Sequence, residues 1–187
     1  AKEFNTGKGG EDDLFAGTPP LEALWMLVSD VATRRAGHDK DKSLMVADVS
    51  RAFFEADAKR KICVEILDED RTRQDEKEDR VGLLEKSMYG TRDAAVTWQD
   101  VVCKELKTWG FVRGKYNPCI YHMNTKDLKV LVHGDDFVTS GFDENLDWFE
   151  EKLKKRFDIK IKRVGMKEGQ SREIKVLSRI IGLDEGG

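Results

Sequence analysis

Two short runs in this sequence end in carboxylate: Leu44-Met45-Val46-Ala47-Asp48-Val49, and Lys129-Val130-Leu131-Val132-His133-Gly134-Asp135-Asp136. Each has the length of a buried strand, and an acid at such a strand end loses solvation unless a cation or donor compensates it. Side by side, the two ends would gather Asp48, Asp135 and Asp136 in one place. Three carboxylates are the minimum ligand set for a pair of Mg²⁺ ions roughly 4 Å apart, the device used for in-line phosphoryl transfer. The residue types and their placement point to nucleotidyl transfer.

The elements that must position these acids alternate between helix and strand. Thr18-Pro19-Pro20 reads as a helix start, with Thr18 as N-cap and proline at the first helical position. Leu21, Leu24, Trp25, Val28, Val31 and Ala32 follow at helical spacing, and Gly37 closes the element. A strand over 44–49, a short helix from Ala52 and a strand over 61–66 come next, before a charged loop over 67–80 too polar to pack. Ala95, Trp98, Val102, Leu106 and Trp109 form a second helical stripe, ended by Gly110. Strands over 118–123 and 128–133 flank the turn Asn124-Thr125-Lys126-Asp127, and a further run over 136–140 leaves the acidic pair. Asp143 is expected to cap a helix whose Leu146, Phe149 and Leu153 share one face. Residues 158–162 then alternate like a half-buried strand, and 173–182 read as one longer run. The order predicts an α+β fold, an antiparallel sheet with helices packed on one face.

With 187 residues the chain is long enough for one domain. Its 39% hydrophobic content can build a core, while 37% charge and a mean hydropathy of -0.58 argue against membrane insertion. No apolar run approaches the roughly 20 residues of a spanning helix, and the N-terminus lacks a signal-peptide layout. Cys63, Cys103 and Cys119 fit neither a zinc pattern nor a disulfide framework and read as reduced core thiols of an intracellular protein.

Charge is unevenly distributed. Residues 151–180 hold eleven Lys/Arg against four Asp/Glu, a balance of +7 in a chain whose net charge is -3. Local basic surface governs phosphate contact more than the whole-chain balance. A solvated charged face is an equally open reading of the same run.

The motifs now acquire a specific resemblance. Asp48-Val49-Ser50-Arg51-Ala52-Phe53-Phe54 is similar to the Asp-Val-Lys-x-Ala-Phe-Leu motif of reverse transcriptases from copia-type LTR retrotransposons. Lys86-Ser87-Met88-Tyr89-Gly90-Thr91-Arg92-Asp93-Ala94-Ala95-Val96-Thr97-Trp98 resembles that family's second block. Gly110-Phe111, Asn117-Pro118-Cys119-Ile120-Tyr121 and His133-Gly134-Asp135-Asp136 follow in the family's order, the last in place of Tyr-Val-Asp-Asp. Phe15-Ala16-Gly17-Thr18-Pro19-Pro20 is similar to the Phe-Ala-Pro-Val stretch ahead of the first palm helix.

The resemblance implies an RNA-directed DNA polymerase palm with partial fingers: a fingers-side segment and first palm helix over 1–43, the catalytic palm over 44–157, and the end of the palm with the start of a thumb-side hairpin over 158–187. Asp48, Asp135, Asp136 and the Val49 carbonyl would hold two Mg²⁺ ions, for which Mn²⁺ can substitute. Phe53 would be the bulky gate under the sugar, with plain core packing as the competing reading; Tyr89, Gly90 and Arg92 would line the nucleotide. Lys154, Lys155, Arg156, Lys160, Lys162 and Arg163 would meet the nucleic-acid backbone. Implied partners are an RNA or DNA template with its primer, dNTPs, and the RNase H and integrase parts of a polyprotein, with no membrane. Cytoplasmic particles and the nucleus are the implied compartments.

The chain departs from the family's pattern at several positions. Gly134 replaces a β-branched residue, and Asp93 replaces glutamine, setting a negative charge where phosphates pass. His133 replaces tyrosine, and strand alternation is expected to turn it away from the acidic pair. Asp184-Glu185-Gly186-Gly187 reads as a hairpin turn without its second strand, so an internal slice of a longer polyprotein is expected. Two functional readings stand: a polymerase palm, and a catalytically inactive remnant that at most binds nucleic acid.

Overall fold

The structure is a computed structural model that describes residues 16–33, 41–165 and 167–183. Phe15, Gly37 and 184–187, which carried sequence expectations, lie outside the described residues. The chain divides into two compact units, 52–102 with the N-terminal segment, and 17–51 with 103–187.

The larger unit is a six-stranded antiparallel sheet with helices. Its elements are α1 (Leu21–Ala32), β1 (Lys42–Val49), β4 (Val112–Arg113), β5 (Ile120–Met123), β6 (Leu128–His133), β7 (Asp136–Phe142), α4 (Asp143–Arg156) and β8 (Ile159–Val164), with a separate hairpin of β9 (Glu173–Val176) and β10 (Arg179–Gly182). The strand order is β4-β5-β6-β7-β1-β8, which places the two carboxylate-bearing strands, β1 and β7, side by side.

The α+β class and the antiparallel sheet match the expectation, with one refinement in how the helices are shared out. Leu24 and Leu27 of α1 cluster with Leu44, Val46, Leu131 and Val138 on one sheet face. The helix α4 covers the other face: Leu146 lies where a Cβ on Gly141 would point, and Arg163 ion-pairs with Asp147 and Glu150. Phe149 of that helix packs on Trp109 and Phe111, with ring centroids 6.1 and 5.1 Å away. The unalternating run Leu44-Met45-Val46-Ala47 explains the double cover, since a strand buried on both faces has no polar side to show. Asp48 is the single exposed residue of β1.

Helix starts differ from the sequence reading. A residue before proline is driven out of the α region, so Thr18 and Pro19 cannot begin a helix, and the N-cap is Pro20 (φ -67°, ψ 155°). The buried face of α1 is Ala23, Leu24 and Leu27, one residue round from the expected stripe, which leaves Trp25 47% exposed. Phe142, in extended conformation, takes the cap position before α4. Asp143 instead sits in the first turn, where an acid favours the helix dipole, and accepts from Gln170 and pairs with Lys167. The run 173–182 is a hairpin, because Leu177 and Ser178 both adopt positive φ (46° and 60°) and reverse the chain.

A buried ionic cluster fastens α1 to the sheet. Asp30 accepts from Lys42 (2.9 Å), Lys129 (2.6 Å) and Ser140 (2.9 Å). Burial alone would raise the Asp30 carboxyl, but these donors outweigh it and hold it at about 2.

The smaller unit holds a 3-10 turn (Ala52–Glu55), the strands β2 (Cys63–Val64) and β3 (Gly82–Leu83), the short helix α2 (Arg73–Lys77) and the first turns of α3 (Ala94–Thr108). The strand expected over 61–66 shrinks to two residues. The charged loop is partly helical, because Thr72 and Asp75 form a capping box. The stripe along α3 buries Trp98, Val102 and Leu106, and Gly110 ends the helix with φ +95°. All three cysteines are free thiols, and Cys103 and Cys119 lie in the core as expected, but Cys63 is exposed because it sits on the short two-stranded β2–β3 ladder, outside the main sheet.

Candidate functional site

Antiparallel register fixes the spacing of the acids. Asp48 of β1 lies directly opposite Asp136 of β7. The Val49 N–H donates to the Asp135 carbonyl (3.0 Å), so 49 and 135 belong to the hydrogen-bonded set and 48 and 136 to the intervening non-bonded set. Pairs of the latter kind have Cα atoms about 4.5 Å apart and the closest side chains in a sheet. Asp135 is held one residue further on, in the two-residue loop Gly134-Asp135 joining β6 to β7. Only the first loop position has positive φ, Gly134 at +59°, as in a type II′ turn.

The same face continues outward on both sides. His133 pairs with Asp136 across the hairpin, and Lys160 of β8 pairs with Asp48. His133, Asp136, Asp48 and Lys160 thus form one row across four neighbouring strands. The expectation for His133 is corrected here: a two-residue loop returns residues 133 and 136 to the same face, so the imidazole stands beside the acids. Its Nδ1 is buried without a hydrogen-bond partner among the described residues.

The electrostatics follow from this row. Burial raises the Asp136 carboxyl, the charges of Asp135 and Asp48 raise it further, and His133 offsets part of the effect. Asp48, Asp135 and Asp136 form no ion pair with any described residue. Acceptor-only oxygens that repel one another and lack a cation fit a hard divalent ion. Among the described residues no three His, Cys, Asp or Glu groups converge tightly enough to hold a metal alone. A Mg²⁺ ion commonly takes one or two carboxylates and fills its octahedron with water and substrate phosphate, so two facing aspartates suit it.

The smaller unit carries the other expected nucleotide-binding residues. Its 3-10 turn is tied to the second motif block by hydrogen bonds from Ala58 N–H to the Glu85 carbonyl (2.9 Å) and Ser87 N–H to the Ala56 carbonyl (2.8 Å). That brings Phe53 onto Tyr89, with ring centroids 4.4 Å apart, while Phe54 meets the same tyrosine edge-on at 5.9 Å. Tyr89 and Gly90 are the central residues of a turn closed by Thr91 N–H to the Met88 carbonyl (3.1 Å). Gly90 has φ +90°, which the third position of a type II turn requires. Arg92 is half-buried. Asp93, read from sequence as a stray negative charge, is buried and bound to Arg60 (2.9 Å), which holds its carboxyl low despite the opposing effect of burial.

The six expected backbone-binding cations are scattered. Lys154 pairs with Glu150 and Lys155 with Glu151, each at 2.5 Å, and Arg156 pairs with Glu105 at 2.8 Å. Arg163 points to the opposite sheet face, where it binds Asp147 (2.7 Å) and Glu150 (2.6 Å). Lys160 and Lys162 are exposed, share the face of Asp48, and make no ion pair with a described residue. The placement of Lys160 opposite Asp48 was not drawn from the sequence, although the alternation of 158–162 carried the signal.

A model of the reverse transcriptase (RNA-dependent DNA polymerase) family matches residues 32–168. Among solved structures, the chain is similar to apo telomerase from Candida tropicalis truncated from the C-terminal domain, at 12% identity and a TM-score of 0.46. The likeness covers 87% of this chain and spans 37% of the telomerase chain. No described helix is long and apolar enough to cross a membrane. With the family matched from the end of α1 to just beyond β8, across both strands that carry the facing aspartates, the chain belongs to the reverse transcriptase family.

Proposed function

We propose that this chain is the catalytic palm of an RNA-directed DNA polymerase from a copia-type retrotransposon polyprotein, joining a dNTP to a primer 3′-hydroxyl on an RNA or DNA template. The observation that carries the reading is the pair Asp48 and Asp136, face to face on adjacent strands with Asp135 beside them and no cation bound from among the described residues. A sheet places two acids opposite each other at a loss of stability, and a site for divalent cations accounts for that loss.

In the reaction, the primer 3′-oxygen attacks the α-phosphorus, its proton leaves to solvent, and the bond to pyrophosphate breaks. Two Mg²⁺ ions, or Mn²⁺ in their place, supply Lewis acidity at the attacking and leaving oxygens when bound. Asp48, Asp135, Asp136 and the Val49 carbonyl are the residues that would hold them. Phe53, stacked on Tyr89, excludes a 2′-hydroxyl; Gly90 lets the backbone approach the base pair; Arg92 meets phosphate. Lys160 and Lys162 are the first contacts for template-primer phosphates, and Lys154, Lys155, Arg156 and Arg163 join by exchanging their present carboxylate partners. Residues 44–157 are the catalytic palm, 1–43 the fingers-side segment with the first palm helix, and 158–187 the end of the palm and the start of a thumb-side hairpin. RNase H and integrase regions of the polyprotein are the expected neighbours, and cytoplasmic particles and the nucleus the expected compartments.

Primer extension on an RNA template tests the reading. Mg²⁺-dependent dNTP incorporation that falls at least about 100-fold in Asp135→Asn supports it, given the share of such catalysis that rests on metal ligands. Equal incorporation by that variant refutes it, and no incorporation by either protein favours the inactive remnant.

A further inference from the structure

Among the described residues, Lys160 is the one lysine that the sheet places directly across a strand pair from an aspartate of the candidate metal site. Ser50 N–H donates to the Asp158 carbonyl (2.8 Å), so 48 and 160 belong to the hydrogen-bonded set of β1 and β8, with Cα atoms about 5.5 Å apart on a common face. Both side chains are exposed, and the Lys160 ammonium makes no ion pair with Asp48 or any other described residue. Asp48 is therefore flanked on one side by the like charge of Asp136 and on the other by a fixed positive charge.

We infer that Lys160 is a built-in counter-charge that weakens divalent-cation binding at Asp48, a role resting on the metal-site reading above and separate from backbone contact. An ammonium near Asp48 repels an incoming dication and satisfies part of the field that would draw it in. A single and a double positive charge about 5–8 Å apart in a hydrated setting change affinity by roughly five- to twenty-fold. The bare protein then holds its ions loosely, and occupancy comes to depend on the negative charge that a triphosphate brings. Lys162 lies one step along the same face but opposite Val46, so it lacks this relationship.

The test is Mn²⁺ binding by the intact chain, with free Mn²⁺ read by electron paramagnetic resonance. Lys160→Met should bind about five- to twenty-fold more tightly than wild type, and Lys160→Arg should restore the wild-type constant. The difference should close in 1 M KCl, where the screening length falls to about 3 Å. Lys107→Met, remote on α3, controls for loss of net charge, and thermal melts check that each variant is folded. Equal or weaker binding by Lys160→Met, with binding still dependent on Asp48, overturns the role of Lys160 alone. Absence of Asp48-dependent binding in both wild type and Lys160→Met overturns this inference and the metal-site reading together.

Discussion

Asp48 and Asp136 face each other across β1 and β7 as a non-hydrogen-bonded pair, the arrangement that brings two side chains closest in an antiparallel sheet. Neither has a cation among the described residues. Stability and the proposed chemistry pull in opposite directions at this pair, and removing one charge should separate them.

Asp136→Asn should stabilise the metal-free protein while abolishing primer extension. Like charges directly opposed in a sheet cost up to about 1 kcal/mol, which corresponds to about 2–4 °C in Tm at this chain length. The Asp136 carboxyl is raised in the fold, so its contribution is most favourable below the unfolded value of 3.8 and is lost as pH rises through the folded value. The gain from asparagine should accordingly be seen at neutral pH and vanish near pH 3 in melts across the range.

Asp30 has the opposite sign. Held at about 2 against 3.8, its carboxylate contributes stability that is present above 3.8 and lost as pH falls towards 2. The shift corresponds to roughly 2 kcal/mol. Asp30→Asn should cost about 2–4 kcal/mol at pH 7, because Lys42, almost fully buried, keeps Asp127 as its one carboxylate among the described residues, beside the Phe142 ring. Chemical denaturation should show the variant's stability varying less than wild type's between pH 4 and pH 2.

Phe53 is the residue proposed to read the sugar. Its ring is braced by Tyr89 at 4.4 Å, so Phe53→Val should open space beneath the nucleotide without unfolding the smaller unit. The ratio of kcat/KM for rNTP over dNTP should rise at least about tenfold, the scale at which pocket volume discriminates. An unchanged ratio would assign Phe53 to core packing.

Gly134 tests the loop that carries Asp135. A Cβ there meets nothing within 4 Å, so the only obstacle to substitution is φ +59°. Gly134→Asn should cost less than Gly134→Val, for which about 1–2 kcal/mol or more is expected, since the positive φ of the first II′ position resists a β-branched residue most. Comparing the two melts separates backbone strain from crowding.

The strand ends bearing carboxylate, the helix stripes through Trp98 and Phe149, and the hairpin at 124–127 were legible because hydrophobic period and turn residues act locally. What escaped depended on partners distant in sequence. Trp25 fits the stripe of α1 as well as Leu27 does, and only the sheet beneath decides which is buried. Alternation along one strand cannot say which face a residue takes after a two-residue loop, which is why His133 was misplaced. The hairpin at Leu177-Ser178 lacks the glycine or asparagine that usually marks positive φ. The basic run 154–163 gave its composition but not its partners, and most of its charge is spent on Glu105, Asp147, Glu150 and Glu151.

The terminal place of β8 in the sheet has a further consequence for how copies of this chain meet. Beyond the single bridge from Val164 to Ser171, its outer flank has no strand partner among the described residues. An open edge of this kind is a template for strand addition and, with it, for aggregation. Here the edge alternates Ile159, Lys160, Ile161 and Lys162. A second copy pairing antiparallel on it would crowd four ammonium groups onto one face. Lysines facing the acid row thus also act as gatekeepers, leaving the flank open to a polyanion while discouraging self-association.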